Sequence, residues 1–373
     1  MKITIVGGGI VGMTAAYLLT KEADIEVTLI DREGAGQSSA AASGIVCPWV
    51  SKRRNKTWYR LAVEGARFYR ELIPLLEQEA TVDTGYKQTG ALILRDQLSK
   101  IVELQEIITE RLEEAPEIGE LSILDEADIQ NRYPFLAAEL VGLFVSGGAR
   151  VDGTNLVAAL QEVALRNGLK LVKGTAVLKR KEEQLQVWVN DNELIADKII
   201  LAAGAWLGKM FDDDVFCDID TQKGQLFHLN PQQATGEWPV MMPASAYSFV
   251  PFDGQHLVIG ASHEKGKDFD LAPTIGELND IATESLRFAP GWRDSQIIEV
   301  RTGTRAYTSD YTPVIGQVPF ASNAYVANGL GASGLTVGPY AAKIVADLVL
   351  GRDVQIDLSD YPVAQYLRLR KEK

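Results

Sequence analysis

The chain has 373 residues, more than the roughly 150 of a common single domain, so two intertwined lobes are expected. Its 46% hydrophobic and 23% charged content is that of an ordinary globular protein and excludes collagenous, low-complexity and disordered classes. A net charge of -13 disfavours a general nucleic-acid or anionic-membrane role, and two cysteines (Cys47 and Cys217) with three histidines make neither a disulfide framework nor a metal cluster, so a reduced, cytoplasmic setting without metal is expected.

In chain order, Lys2 to Val6 reads as a β-branched strand ending at three glycines, Ile10 to Thr20 as a helix and Glu26 to Ile30 as a second strand. The uncharged run Ile3 to Thr20 therefore reads as interior structure, not as a targeting segment or membrane span. Thr57 to Ala80 has the stripe of a long amphipathic helix, and Gln97 to Ala115 that of a charged one. Asn155 to Asn167 reads as a helix N-capped by Thr154, with Gly168 beyond its end. Strands are expected at Lys170 to Val172, Leu185 to Val189 and Lys198 to Ala202. Between Phe216 and Val300 come short β-like runs, at Gln225 to Leu229, Ser248 to Pro251 and His256 to Ile259, and a helix near Ile275 to Phe288. Beyond Arg301 follow a loop rich in Thr and Asp, a strand at Ala324 to Ala327, a glycine-rich turn and a last long helix to Leu350. This pattern predicts an antiparallel lobe inserted into a parallel one.

Gly7, Gly9 and Gly12 form G-x-G-x-x-G between strand and helix, the arrangement that brings backbone amides and a helix N-terminus to a pyrophosphate; Ile10 and Val11 open that helix. Asp31 closes the second strand, where a carboxylate accepts from ribose hydroxyls. It would repel a 2′-phosphate, which leaves Arg32 as a solvated residue or an adenine-stacking plane. The fingerprint alone does not separate NAD from FAD.

Three further segments do. The first is the small-residue loop Gln37-Ser38-Ser39-Ala40-Ala41-Ala42-Ser43-Gly44 and the second Leu201-Ala202-Ala203-Gly204-Ala205-Trp206. The third is Gly303-Thr304-Arg305 with Asp310 and Pro313 to Gly316, then Ala327 to Thr336. Together they resemble the FAD-dependent D-amino-acid oxidase superfamily, closest to its glycine oxidase and D-amino-acid dehydrogenase branch, over Lys2 to about Leu350.

The resemblance implies an α/β fold with a Rossmann-like, GR2-type FAD-binding domain (1–85, 146–215 and 301–373) and a discontinuous α+β substrate domain (86–145 and 216–300) on an antiparallel sheet. It implies noncovalent FAD held by the fingerprint residues with Ser38, Ser39, Ser43, Gly44, Val177, Ala203, Gly204, Trp206 and Gly331, Ala332, Ser333, Gly334, Leu335 and Thr336; a cysteine near Arg305, which covalent attachment would use, is missing. Arg305 takes the position that grips a substrate carboxylate, Tyr247 that of a tyrosine sharing it, and His263 a place where relatives present a side chain to substrate.

Two departures stand out. Ala306 replaces the proline that commonly follows the arginine, and Gly329-Leu330-Gly331 replaces a glycine-histidine-glycine.

Alternatives accompany each residue. Arg301 competes with Arg305, with a surface ion pair as the bland reading of either. Tyr247 could be plain sheet packing, His263 an exposed loop residue, and Trp49, Trp206 and Tyr307 core aromatics instead of pocket walls. The stretch Lys52 to Lys56 and the tail Arg368 to Lys373 read as solvated charge. The implied reaction is oxidation of a small amino acid, a D-amino acid or glycine-like amine, to an imine that water converts to keto acid and ammonia, with oxygen or an electron carrier as acceptor. Oxidation of a 2-hydroxy acid, an NAD-dependent dehydrogenase and a catalytically inert flavin module are the alternatives.

Overall fold

The computed structural model describes residues 1–52 and 55–370; of the two basic segments, Arg53, Arg54 and Lys371 to Lys373 lie outside them. Strand Lys2–Val6 lies parallel to Glu26–Asp31 on one side and to Lys198–Leu201 on the other. Lys170–Lys173 and Ala324–Asn328 extend this parallel sheet, and Val314–Gln317 closes one edge antiparallel, giving six strands. Ile3, Ile5 and Val6 are buried on both faces, as central parallel strands covered by helices must be. Helix Ile10–Leu19 packs between the helices Gly153–Arg166 and Gly334–Val349, and the long helix Lys56–Glu79 lies against the last of these.

The first turn explains its glycines. Gly7 has φ +108°, and a Cβ there would stand 2.4 Å from the Ala202 carbonyl oxygen. At Gly12 a Cβ would stand 1.8 Å from the Gly7 oxygen, so helix and turn could not close.

A second sheet of nine strands is antiparallel except where Val240–Met242 runs parallel to Ala91–Arg95. It joins Ala91–Arg95, Leu121–Leu124 and Val141–Val145 to strands from 220–307, among them Asp220–Asn230 and its full-length partner Gln296–Tyr307. Residues alternate across it. Leu226, Val250 and Val258 join the core shared with the helices of the parallel sheet. Phe227, Phe249 and Ile259 pack on the other face with Ile281 and Phe288 of helix Ile275–Phe288.

Several details correct the sequence reading. The stretch after Arg301 begins as a strand, not a loop, and a domain boundary at 301 cuts Gln296–Tyr307 in two. The central helix starts two residues earlier, at Gly153, because Asp152 Oδ1 accepts from the amides of Thr154 (2.8 Å) and Asn155 (3.0 Å); Thr154 is not its cap. Gln184–Val189 belongs to a separate three-stranded sheet with Val177–Lys181 and Asn192–Leu194. Among the described residues no helix is long and apolar enough to cross a membrane, and no acid, histidine or cysteine group has the makings of a metal site.

Candidate active site

Between the carboxyl ends of the parallel strands and the inner face of the nine-stranded sheet lies an open cleft. Gly7 to Val11, Asp31, Arg32, Ser38, Ser39, Ser43 and Gly44 line it from the first βαβ unit and the loop that follows. Ala203, Gly204, Trp206, Gly331, Ala332, Gly334, Leu335 and Thr336 line it further along.

Asp31 is held in place by the chain itself. Its Oδ2 accepts from the Gly8 amide at 2.6 Å, and its Oδ1 from the Glu33 amide at 2.5 Å and Gln37 Nε2 at 3.0 Å. A carboxylate offers about four lone-pair sites, so one remains for an incoming hydroxyl. Ser39 Oγ accepts from the Ile10 amide at 3.0 Å and so pins the loop over the helix start. The Arg32 guanidinium lies 4.1 Å over the Trp206 ring, forming a flat cation–π pair at the cleft wall. Two helix N-termini, those of Ile10–Leu19 and Gly334–Val349, open at this one cleft. Two helix starts on a single cleft, with Asp31 beside the first glycine turn, fit a dinucleotide cofactor.

Three cofactor expectations need correction or refinement. Val177 does not line the cleft: its side chain is 45% exposed on the separate sheet, and Gly174, Thr175 and Ala176 take the place. Ser333 turns away, its Oγ accepting from Trp58 Nε1 at 2.9 Å. Gly12 lies behind the turn, where its role is the helix packing described above. Trp49 is buried in the core, and Tyr307, whose hydroxyl donates to Asp220 Oδ2 at 3.3 Å, also does not line the cleft. Burial raises the thiol of Cys47 to about 12 and that of Cys217 to about 11, and neither residue lines the cleft.

The catalytic candidates separate clearly. Arg305 projects from Gln296–Tyr307 into the cleft and lies across Gly224 of the neighbouring strand, where a Cβ would stand 2.8 Å from Nη2. Its Nη1 donates to the Ser262 carbonyl at 2.6 Å, and it has no carboxylate partner among the described residues. Burial lowers its pKa to about 10, which leaves it a cation at neutral pH. Arg301 is already paired: its Nε donates to Glu299 Oε2 at 2.9 Å and its Nη1 to the Ala40 carbonyl at 3.2 Å.

Tyr247 is not beside Arg305. It precedes Ser248–Phe252 on the same face as Phe249, packs on the outer side of the sheet, and donates its hydroxyl to Glu277 Oε1 at 3.1 Å. Burial, with Glu277 adding to it, raises that phenol to about 12. Ser248 shares the inner face with Val250 instead. His263 is exposed, and its Nδ1 lies 3.1 Å from Gln222 Oε1, the residue opposite Arg305 in the ladder. It does not line the cleft. Sequence reading missed Gln37, Gly224 and Ser262 as site residues. Gln37 stood in the quoted loop, whereas Gly224 and Ser262 carry no local signal because strand register alone brings them to Arg305.

A parallel sheet that offers two helix starts to one dinucleotide, under an antiparallel roof bearing a desolvated arginine, defines a flavin-dependent oxidoreductase. The chain belongs to the DAO family of FAD-dependent oxidoreductases, whose family model matches residues 2–348, and FAD is its cofactor. It is 40% identical over 364 residues to the uncharacterized oxidoreductase YurR of Bacillus subtilis, covering 96% of this chain and 98% of that one. To the glycine oxidase of Pseudomonas aeruginosa it is 28% identical over 374 residues, covering 97% and 98%. The crystal structure of iminodiacetate oxidase from Chelativorans sp. BNC1 superimposes with a TM-score of 0.92 at 34% identity, covering 96% of this chain and 98% of that one.

Proposed function

We propose that the enzyme oxidises the carbon–nitrogen bond of a small α-amino acid, a D-amino acid or glycine-like amine, to an imine that water hydrolyses to a keto acid and ammonia. The observation that carries this reading is Arg305: a desolvated guanidinium facing the cleft with no acid of its own among the described residues. Its planar fork suits a substrate carboxylate, to which it makes two parallel charge-assisted hydrogen bonds. The named activities of the glycine oxidase and iminodiacetate oxidase relatives support an amine bearing a carboxylate.

Bound FAD supplies a two-electron acceptor and needs no dedicated protein base. The chain's own work is orientation. Arg305 fixes the carboxylate, and Asp31 with the glycine turn holds the cofactor at the far end. Oxygen or an electron carrier then takes the electrons.

The test is anaerobic bleaching of the bound flavin by glycine, D-amino acids, N-substituted amino acids and 2-hydroxy acids, with ammonia and keto acid assayed together. Arg305→Leu should keep the FAD spectrum and lose about 2–5 kcal/mol of substrate binding, as truncating one member of a buried charge pair does. Lys at this position should fall between the two, keeping the charge without the fork. Turnover of 2-hydroxy acids with no ammonia from any amino acid would move the assignment to hydroxy-acid oxidation. Wild-type turnover of amino acids by Arg305→Leu would remove the carboxylate anchor.

A further inference from the structure

We propose that Ser262, Gln225 and Glu264 form a positioning network that aims Arg305 without touching substrate. The inference rests on Arg305 as carboxylate anchor. A guanidinium has five N–H donors in a rigid fork, and the direction of the fork decides whether two of them meet one carboxylate. Here, among the described residues, one hydrogen bond orients it, from Nη1 to the Ser262 carbonyl at 2.6 Å.

That carbonyl is itself clamped. The Ser262 amide donates to the Gln225 carbonyl at 3.0 Å, and Ser262 Oγ accepts from the Gln225 amide at 2.8 Å while donating to Glu264 Oε1 at 3.0 Å. Gln225 Nε2 donates to the same Glu264 oxygen at 2.7 Å, and Gln225 Oε1 accepts from the Thr274 amide at 2.9 Å, just before helix Ile275–Phe288. Gln225 and Ser262 are fully buried, and Gln225 points to the outer face of the roof while Arg305 lies on the inner one. A fully satisfied polar network inside a protein locks its members, and the arginine at its end inherits that fixed direction. Gly224 completes the arrangement by leaving room for the guanidinium on the strand that carries Gln225.

The holoenzyme tests this through the visible flavin spectrum titrated with acetate and with benzoate, beside anaerobic reduction by the best amino acid. Loosening the clamp on the Ser262 carbonyl should weaken acetate binding about tenfold in Ser262→Ala, which loses the hydroxyl's hydrogen bonds, and in Gln225→Leu, which loses those of the side-chain amide. KM should rise while the reduction rate at saturation changes much less. Glu264→Gln, which keeps an acceptor oxygen, should bind acetate nearly as wild type does, and Glu264→Leu should not. A purely structural role would lower the melting temperature and leave acetate affinity alone, and that result overturns the proposal. Should the two buried variants fail to retain FAD, the half-buried Glu264 decides by itself: unchanged acetate affinity in Glu264→Leu overturns the proposal. Arg305→Leu separates the two levels. If it binds acetate as wild type does, the anchor reading fails; if it loses acetate while the network variants keep it, only the positioning role fails.

Discussion

A glycine on the roof strand, Gly224, leaves room for the side chain of Arg305, which the neighbouring strand carries about eighty residues later in the chain. A Cβ there would stand 2.8 Å from Arg305 Nη2 and 2.9 Å from Cζ, both at the far end of a flexible side chain. Alanine should therefore displace the guanidinium and leave the backbone in place, since alanine is favoured over glycine in a strand by about 0.5–1 kcal/mol. Gly224→Ala is expected to retain FAD and its melting temperature while binding carboxylates at least tenfold more weakly, a change of about 1.4 kcal/mol. Acetate titration of the flavin spectrum checks it. A variant that unfolds, or one that binds acetate normally, contradicts the geometry.

At the scale of elements, helix Gly153–Arg166 shows how a cap reaches the site. Its first turn abuts the cofactor loop so closely that a Cβ on Gly153 would stand 2.0 Å from the Ser39 carbonyl. Asp152 satisfies two of its free amides, so Asp152→Ala should lower stability by about 1 kcal/mol and the melting temperature by about 2–4 °C. Thr154→Val should leave it unchanged, and thermal melts of the two holoenzyme variants make the comparison. Equal effects would mean that the cap is not where the hydrogen bonds place it.

For the molecule as a whole, protons and cofactor are linked to folding. His228 Nδ1 and His256 Nε2 lie 2.7 Å apart, and burial, reinforced by Arg301, lowers His228 to about 4 and His256 below its usual range. An unfolded histidine titrates near 6.5, so the unfolded chain takes the proton first. Stability from this pair is whole above pH about 6.5 and drains away as pH falls toward 4. Melting temperatures between pH 8 and 4 should drop less steeply in a His228→Phe, His256→Phe double variant than in wild type; parallel curves would dismiss the pair. FAD contributes through binding to the folded state alone, by about 2.7 kcal/mol at a hundredfold excess over its dissociation constant. Because neither cysteine lines the cleft, acid precipitation should release all flavin as free FAD. Flavin remaining on the pellet would show a covalent bond.

The dinucleotide half was legible in the sequence because it is local. Thirty consecutive residues contain a strand, a glycine turn, a helix and Asp31, and their spacing follows from backbone geometry before any distant contact forms. The roof was not legible to the same degree. Side chains on a strand alternate, and a slip of one position moves every side chain to the other face. Tyr247 therefore looked equivalent to a cleft residue in the sequence, while the sheet turns it outward to Glu277 and faces Ser248 inward. The choice between Arg301 and Arg305 is of the same kind. Both stand on one face of one strand, and only the folded chain shows Glu299 pairing the first while the second meets a carbonyl from residue 262 and, among the described residues, no carboxylate partner. Local chemistry marked the candidate dinucleotide site. Register between strands distant in sequence decided which cation faces that cleft.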